Sequence, residues 1–327
     1  MKSIYAAALT VALVVPSPVL GHHSGSIYNA ESVLTLLGTV RRYEWRNPHV
    51  YIYVEVEDEA GQPVEWELEG GSTPLMVRGG WTATTLTPGD AVSARVNPNK
   101  NTDRRNAWLL ALSKEDGTSV TRWSTDGASN VPATDVSGVW DALRGFQELR
   151  FVRGELTERG AAAEAAFDES QNPVKDCIAA PVPLLTYLPY RNEIEIRDDR
   201  VVIRSEYFSV ERIVYMDGRG HPEDAERTNQ GHSIGRWNGD ALVVDTVLFA
   251  DSPTGNRSGV PSGAQKHVVE RFELSEDRTR LKVEFSVEDP EFMVGPSTGE
   301  VVWDHVPDRE MLPFECDPEI AIRYAVE

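Results

Sequence analysis

The chain has 327 residues, with 32 lysines and arginines against 52 aspartates and glutamates, a net charge of −20. A surface that acidic repels phosphate backbones and anionic lipid headgroups, which sets nucleic-acid binding aside. With two cysteines in all, Cys177 and Cys316, a CxxC redox motif and a cysteine zinc site are both excluded.

The first residues read as an export signal. Lys2 precedes an apolar run from Ile4 to Val15, then Pro16, Ser17, Pro18 and Val19-Leu20-Gly21. A basic start, a short apolar core and small residues before a cut describe a secretory signal peptide, residues 1–21, with the cut expected after Gly21. The run is shorter than the ~20 residues a membrane-spanning helix requires, and no later stretch reaches that length, so stable membrane insertion is not expected. The mature protein is expected to be periplasmic or secreted, where Cys177 and Cys316 would pair as a disulfide. The cut places His22 at the new N-terminus beside His23. An amine and two imidazoles there could chelate copper, with His49 as a further ligand.

Residues 22–115 carry short strands. A strand around Thr35 to Trp45 is followed by Val50, Ile52, Val54 and Val56 alternating with Tyr51, Tyr53, Glu55 and Glu57. Val64, Trp66 and Leu68 then alternate with Glu65, Glu67 and Glu69 after a turn at Glu59-Ala60-Gly61. Period-two alternation marks strands with one buried face. A short helix is expected within Ser72–Gly80, and two more strands near Ala91–Val96 and Ala107–Ser113. So many short strands in one small segment imply a closed barrel of OB type.

The polar stretch 116–134 reads as a linker, and residues 135–327 as a second domain. One helix is expected there, over Glu155–Phe167, and otherwise strands. The clearest strand sets Leu281, Val283, Phe285 and Val287 against Lys282, Glu284, Ser286 and Glu288. The chain is therefore expected to be all-β: a small OB-like barrel followed by a larger antiparallel lipocalin-like barrel or sandwich.

The segment Met216–Thr246 concentrates the ionisable groups. Asn238-Gly239 between two strand-like runs is a strong hairpin signal. A two-residue loop at those positions sets Trp237 opposite Asp240, Arg236 opposite Ala241 and His232 opposite Asp245. One face then holds His232, Ile234, Arg236, Val243, Asp245 and Val247. A carboxylate beside an imidazole fixes its tautomer and raises its pKa, as an acid/base pair needs and as a purely structural pair also does. Just upstream, Asp217, Arg219 and His221 lie in a glycine-containing loop after the strand Val210–Met216, a place where binding groups collect. His267, Val269 and Arg271 share one face of a later strand. The string Gly231-His232-Ser233-Ile234-Gly235 matches a nucleophile-elbow pattern, but the elbow requires a strand-to-helix turn and these residues run into a hairpin. Gly235 instead marks a bulge or close packing.

The segments HHSGSIYNAESVLTLLGTV, EWRNPHVYIYVEV, EWELEGGS and GGW resemble an N-terminal domain of exported bacterial proteins of unassigned function. The later GRGHPED, GHSIGRWNGDALVVDTV and HVVERFEL resemble the second domain of longer members. The resemblance implies export and an all-β architecture and brings no activity with it. The first functional expectation is a periplasmic protein binding a small apolar or amphipathic molecule in the larger barrel, with His232, Asp245 and Arg236 among its few polar groups. An enzyme (a lyase, isomerase or hydrolase) using His232 and Asp245 as acid and base is the second, and copper handling through His22, His23 and His49 the third.

Overall fold

In a computed structural model, residues 27–124, 129–257 and 259–325 are described; His22 and His23 fall outside them. The first unit contains β1 (Leu34–Glu44), β2 (Tyr51–Glu57), β3 (Pro63–Glu69), β4 (Ala91–Pro98), β5 (Asn106–Lys114) and β6 (Ser119–Thr121). Their order is β3-β2-β1-β4-β5-β6, and a parallel pairing of β3 with β5 closes the first five strands into a barrel. The helix Thr73–Arg78 lies between β3 and β4 in sequence. Five Greek-key strands closed in this way are the OB plan. The barrel closes because Val40, Ile52, Val54, Leu68, Val92, Ala94, Val96, Leu109 and Leu112 all point to one interior, where Trp81 and Met76 complete the core.

The larger unit contains β7 (Gly138–Asp141), β8 (Arg150–Val152), β9 (Arg191–Ile196), β10 (Arg200–Ser205), β11 (Val210–Tyr215), β12 (His232–Asn238), β13 (Ala241–Val247), β14 (Ser252–Arg257), β15 (Val260–Ser262), β16 (His267–Leu274), β17 (Arg280–Glu288) and β18 (Ser297–His305). The order β17-β16-β13-β12-β11-β10-β9-β7-β18, with β17 also paired to β18, is a nine-stranded closed barrel. Every neighbouring pair in it is antiparallel except β11 and β12, which run parallel. That pair departs from a simple up-and-down meander: parallel neighbours cannot be joined by a tight turn, so residues 216–231 must cross back over the sheet.

The interior of this barrel is filled. Trp140, Phe272 and Trp303 are fully buried there with Leu242, Val244, Leu281, Val283 and Val301. Near one end the core turns polar. Arg212 donates to Glu270 at 2.6 Å, Thr186 donates to the same carboxylate at 2.6 Å, and the Ser233 and Thr246 hydroxyls meet at 2.9 Å. Lys266 is fully buried and donates to the carbonyls of Val182 and Gly255. Charges this deep persist only when paired and hydrogen-bonded.

Several features tie the units together. The stretch expected as a linker contributes β6, whose Val120 is buried against the first core, because its short alternation lets it extend the β5 edge. The C-terminal segment returns to the small barrel. Cys316 pairs as an isolated bridge with Asn47, Ile320 packs on Tyr51 and Tyr53, and Arg323 donates to the Tyr53 hydroxyl at 2.6 Å and to Glu44 at 2.9 Å. Cys177 and Cys316 form a disulfide with Cα atoms 5.9 Å apart. Among the described residues, no helix is long and apolar enough to cross a membrane.

Candidate functional site

The hairpin forms between β12 and β13, with its loop one position later than expected. Asn238 pairs with Ala241, so Gly239 and Asp240 make the turn, and Gly239 adopts a left-handed φ of 62°. Glycine at the first central position is what a type II′ turn requires. The consequence is a register offset of two: His232 opposes Val247, and Asp245 opposes Ile234. The direct His232–Asp245 pair is therefore corrected to a diagonal one. An offset of two keeps every side chain on its expected face, because the strand repeat is also two.

That face looks outward, since Leu242, Val244 and Thr246 point into the core. Gly235 sits on the inner face, where a Cβ would come within 2.7 Å of Val214, so close packing explains it. Ser233 is 3% exposed and bonded to Thr246, which removes it from any nucleophile role on the surface.

On the outer face three imidazoles gather around one carboxylate. In the β13–β16 pairing Asp245 opposes Val269, so His267 stands diagonal to Asp245 on one side as His232 does on the other. His267 Nε2 lies 2.9 Å from Asp245 Oδ1. His221, from the crossover loop, fits between the strands: its Nε2 is 3.1 Å from Asp245 Oδ1 and its Nδ1 is 2.9 Å from His232 Nδ1. The ring of His232 stacks on Tyr215 at 5.2 Å, and the Arg219 guanidinium lies 4.1 Å from the centre of the same Tyr215 ring. An ionised carboxylate accepts only, so His221 and His267 both present N–H at Nε2. In neutral His221 Nδ1 is then an acceptor, and His232 donates to it. The chain of donors runs from His232 through His221 to Asp245. Partial burial, with His221 and Arg219 nearby, holds His232 below its usual pKa of 6.5.

Sequence reasoning paired His232 with Asp245, placed His221 in a separate loop with Asp217 and Arg219, and left His267 on a strand face of its own; the structure brings His221, His232, Asp245 and His267 together. Asp217 and Arg219 pair with each other on the surface, with Arg219 Nε 2.9 Å from Asp217, which keeps Asp217 ionised with its pKa lowered to about 2. Arg236 is exposed farther along β12. These groups can relay a proton, and they stand on the outer wall, with the buried side chains of the barrel core behind them.

Space for a ligand lies elsewhere, at the junction of the barrels. A cleft of about 850 Å³ is bounded by Trp45, Arg46, Asn47 and Thr73 on one side and by Pro313 and the 315–319 segment on the other. Arg46 spans its mouth to Asp317 at 2.9 Å, and the buried Asn47 accepts from the Thr73 amide at 2.8 Å on its floor. A cavity of about 70 Å³ lies on the other flank of the same loop, lined by Pro48, His49, Leu184, Leu188, Tyr190 and Tyr207 among others. His49 Nδ1 is held by the buried carboxylate of Glu69, to which Tyr28 also donates at 2.8 Å. Glu69 was read from sequence only as an outward strand residue. The buried Tyr28, whose hydroxyl reaches this carboxylate, is not visible in local alternation. Among the described residues no group of three or more His, Cys, Asp or Glu side chains is arranged to hold a metal ion.

Residues 11–107 match the model of a family of unknown function, DUF6152. The DUF6152 match includes the loop with His49 and all of β1 to β4, and it ends as β5 begins. The histidine cluster of the larger barrel lies beyond it. The chain matches none of the curated proteins.

Proposed function

We propose that the protein is exported and binds a small amphipathic molecule at the junction of its two barrels, in the cleft between residues 45–47 and 313–319. The observation that carries this reading is the cleft itself: its ~850 Å³ falls in the range of sites for small ligands, and such sites favour domain junctions. Trp45 offers a flat apolar wall, while Arg46, Asp317 and Glu319 offer polar groups at the rim. Export is supported by the basic-apolar start and by the Cys177–Cys316 disulfide, a bond that persists in oxidising compartments.

Glu319 lines the cleft, with its side chain 86% exposed, so it can be enlarged without disturbing a core. Native mass spectrometry of the protein purified from its own cells should show an added small-molecule mass, and Glu319→Trp, which crowds the cleft rim, should lose it. An adduct retained in full by Glu319→Trp places the ligand elsewhere and defeats the reading.

A further inference from the structure

The crossover between β11 and β12 has an uneven attachment. Its second half is tied down: Arg227 bonds Asp251 at 2.6 Å, Asn229 donates to the Ala179 carbonyl at 2.6 Å, and Gln230 donates to that of Ala180 at 3.1 Å. In its first half, residues 217–226 are all exposed except one. The exception is His221. Gly218 and Gly220 beside it have nothing within 4 Å of where a Cβ would stand. His221 is thus the one partly buried side chain that plugs this solvated loop into the sheet, with the exposed Arg219 guanidinium resting over Tyr215 beside it.

We propose that His221 is an acid-released latch that holds the loop 217–226 over the outer face of the larger barrel, and that its release uncovers His232, Asp245 and His267. The chemistry lies in the Nδ1–Nδ1 contact of His221 and His232, 2.9 Å long. Two facing ring nitrogens can share one proton between them and never two. With both rings neutral, His232 donates and His221 accepts. A first added proton is accommodated: cationic His221 keeps Asp245 through Nε2 and donates through Nδ1 to His232, which moves its own proton to Nε2. A second proton leaves two N–H groups pointing at each other on two adjacent cations, and no acceptor remains.

The surrounding charges favour opening at that step. From the loop, Asp217 and Arg219 neutralise each other; from β11, Tyr215 stacks on His232; from β13 comes Asp245, among the described residues the one acid bonded to the cluster. His267 on β16 already competes for Asp245 Oδ1, and across from it on β17 stands Glu288. Arg236 on β12 and Arg271 on β16 add positive charge on the same face. The lowered proton affinity of His232 puts the second protonation below the ordinary histidine range, so the latch holds at neutral pH.

Both native cysteines are disulfide-bonded, so a single thiol introduced as Asp224→Cys takes a nitroxide spin label selectively. Electron paramagnetic resonance of the full chain, titrated from about pH 7.5 to about pH 4.5, reads the loop directly. The expected result is a step from a mainly restricted to a mainly mobile spectrum below about pH 6.5, with near-UV circular dichroism unchanged. His221→Gln, which can bond but cannot titrate, should abolish the step. His267→Gln, which removes an imidazole that does not touch the loop, should keep it. A step that survives His221→Gln, a spectrum that does not change with pH, or a step that coincides with loss of the near-UV signal overturns the proposal.

Discussion

Glu270 is the residue on which the polar end of the larger barrel depends. Its carboxylate answers Arg212 and Thr186 at full burial. Removing one partner of such a pair strands the other charge in the core, so Glu270→Ala should lower unfolding free energy by about 3–5 kcal/mol in a denaturant titration. Glu270→Gln, which keeps a hydrogen bond to Thr186, should cost less. Lys266 gives a different signature. Burial pushes its pKa down to about 7, while in the unfolded chain it returns towards 10.5. Between those values the unfolded state binds more protons, so this group makes stability rise with pH from about 7 upwards. Lys266→Met should flatten that rise, as measured by denaturant midpoints at several pH values. A neutral amine still has two N–H donors, enough for the carbonyls of Val182 and Gly255.

Among the elements, those governed by local alternation were legible in the sequence and those governed by distant partners were not. The five barrel strands fall where period-two patterning places them, and the helix Thr73–Arg78 lies within the expected Ser72–Gly80, with Pro74 in its first turn. The helix expected over Glu155–Phe167 forms at Glu158–Ala166 with Thr157 as its cap. The Asn238-Gly239 hairpin formed one position later because glycine alone supplied the positive φ. Its cluster survived that shift only because the offset was even. Had it been odd, His232 would face the barrel interior. The seating of His221 was not legible at all, since nothing local says that a charged glycine-rich loop must fold back between two strands. That follows from the parallel β11–β12 pair. Likewise Tyr51 and Tyr53 read as the outer, wet face of β2, yet they are 2% and 5% exposed because Ile320 and Arg323 lie over them.

For the whole molecule, the C-terminal segment is the part that makes two barrels into one body. It carries one half of the disulfide, the bridge to Asn47, and the Arg46–Asp317 and Arg323–Glu44 pairs. The buried Arg78–Glu206 pair and the Tyr190–Ser72 hydrogen bond at 3.0 Å join the units independently of it. The disulfide closes a sequence separation of 139 residues. Replacing both cysteines by alanine should therefore cost about 2–5 kcal/mol of stability, read from thermal unfolding. Hydrogen exchange should rise first in residues 313–325, because their remaining ties to the small barrel are one isolated bridge to Asn47, partly exposed ion pairs and a short apolar contact.

The cleft beside Trp45 is where this architecture leaves room, and its occupancy is the claim on which the functional reading rests. Native mass spectrometry of the protein from its own cells, run beside Glu319→Trp, tests it most directly. The account predicts an added small-molecule mass in the parent protein and its loss in the variant. Identical spectra from the two, with or without an adduct, would contradict it.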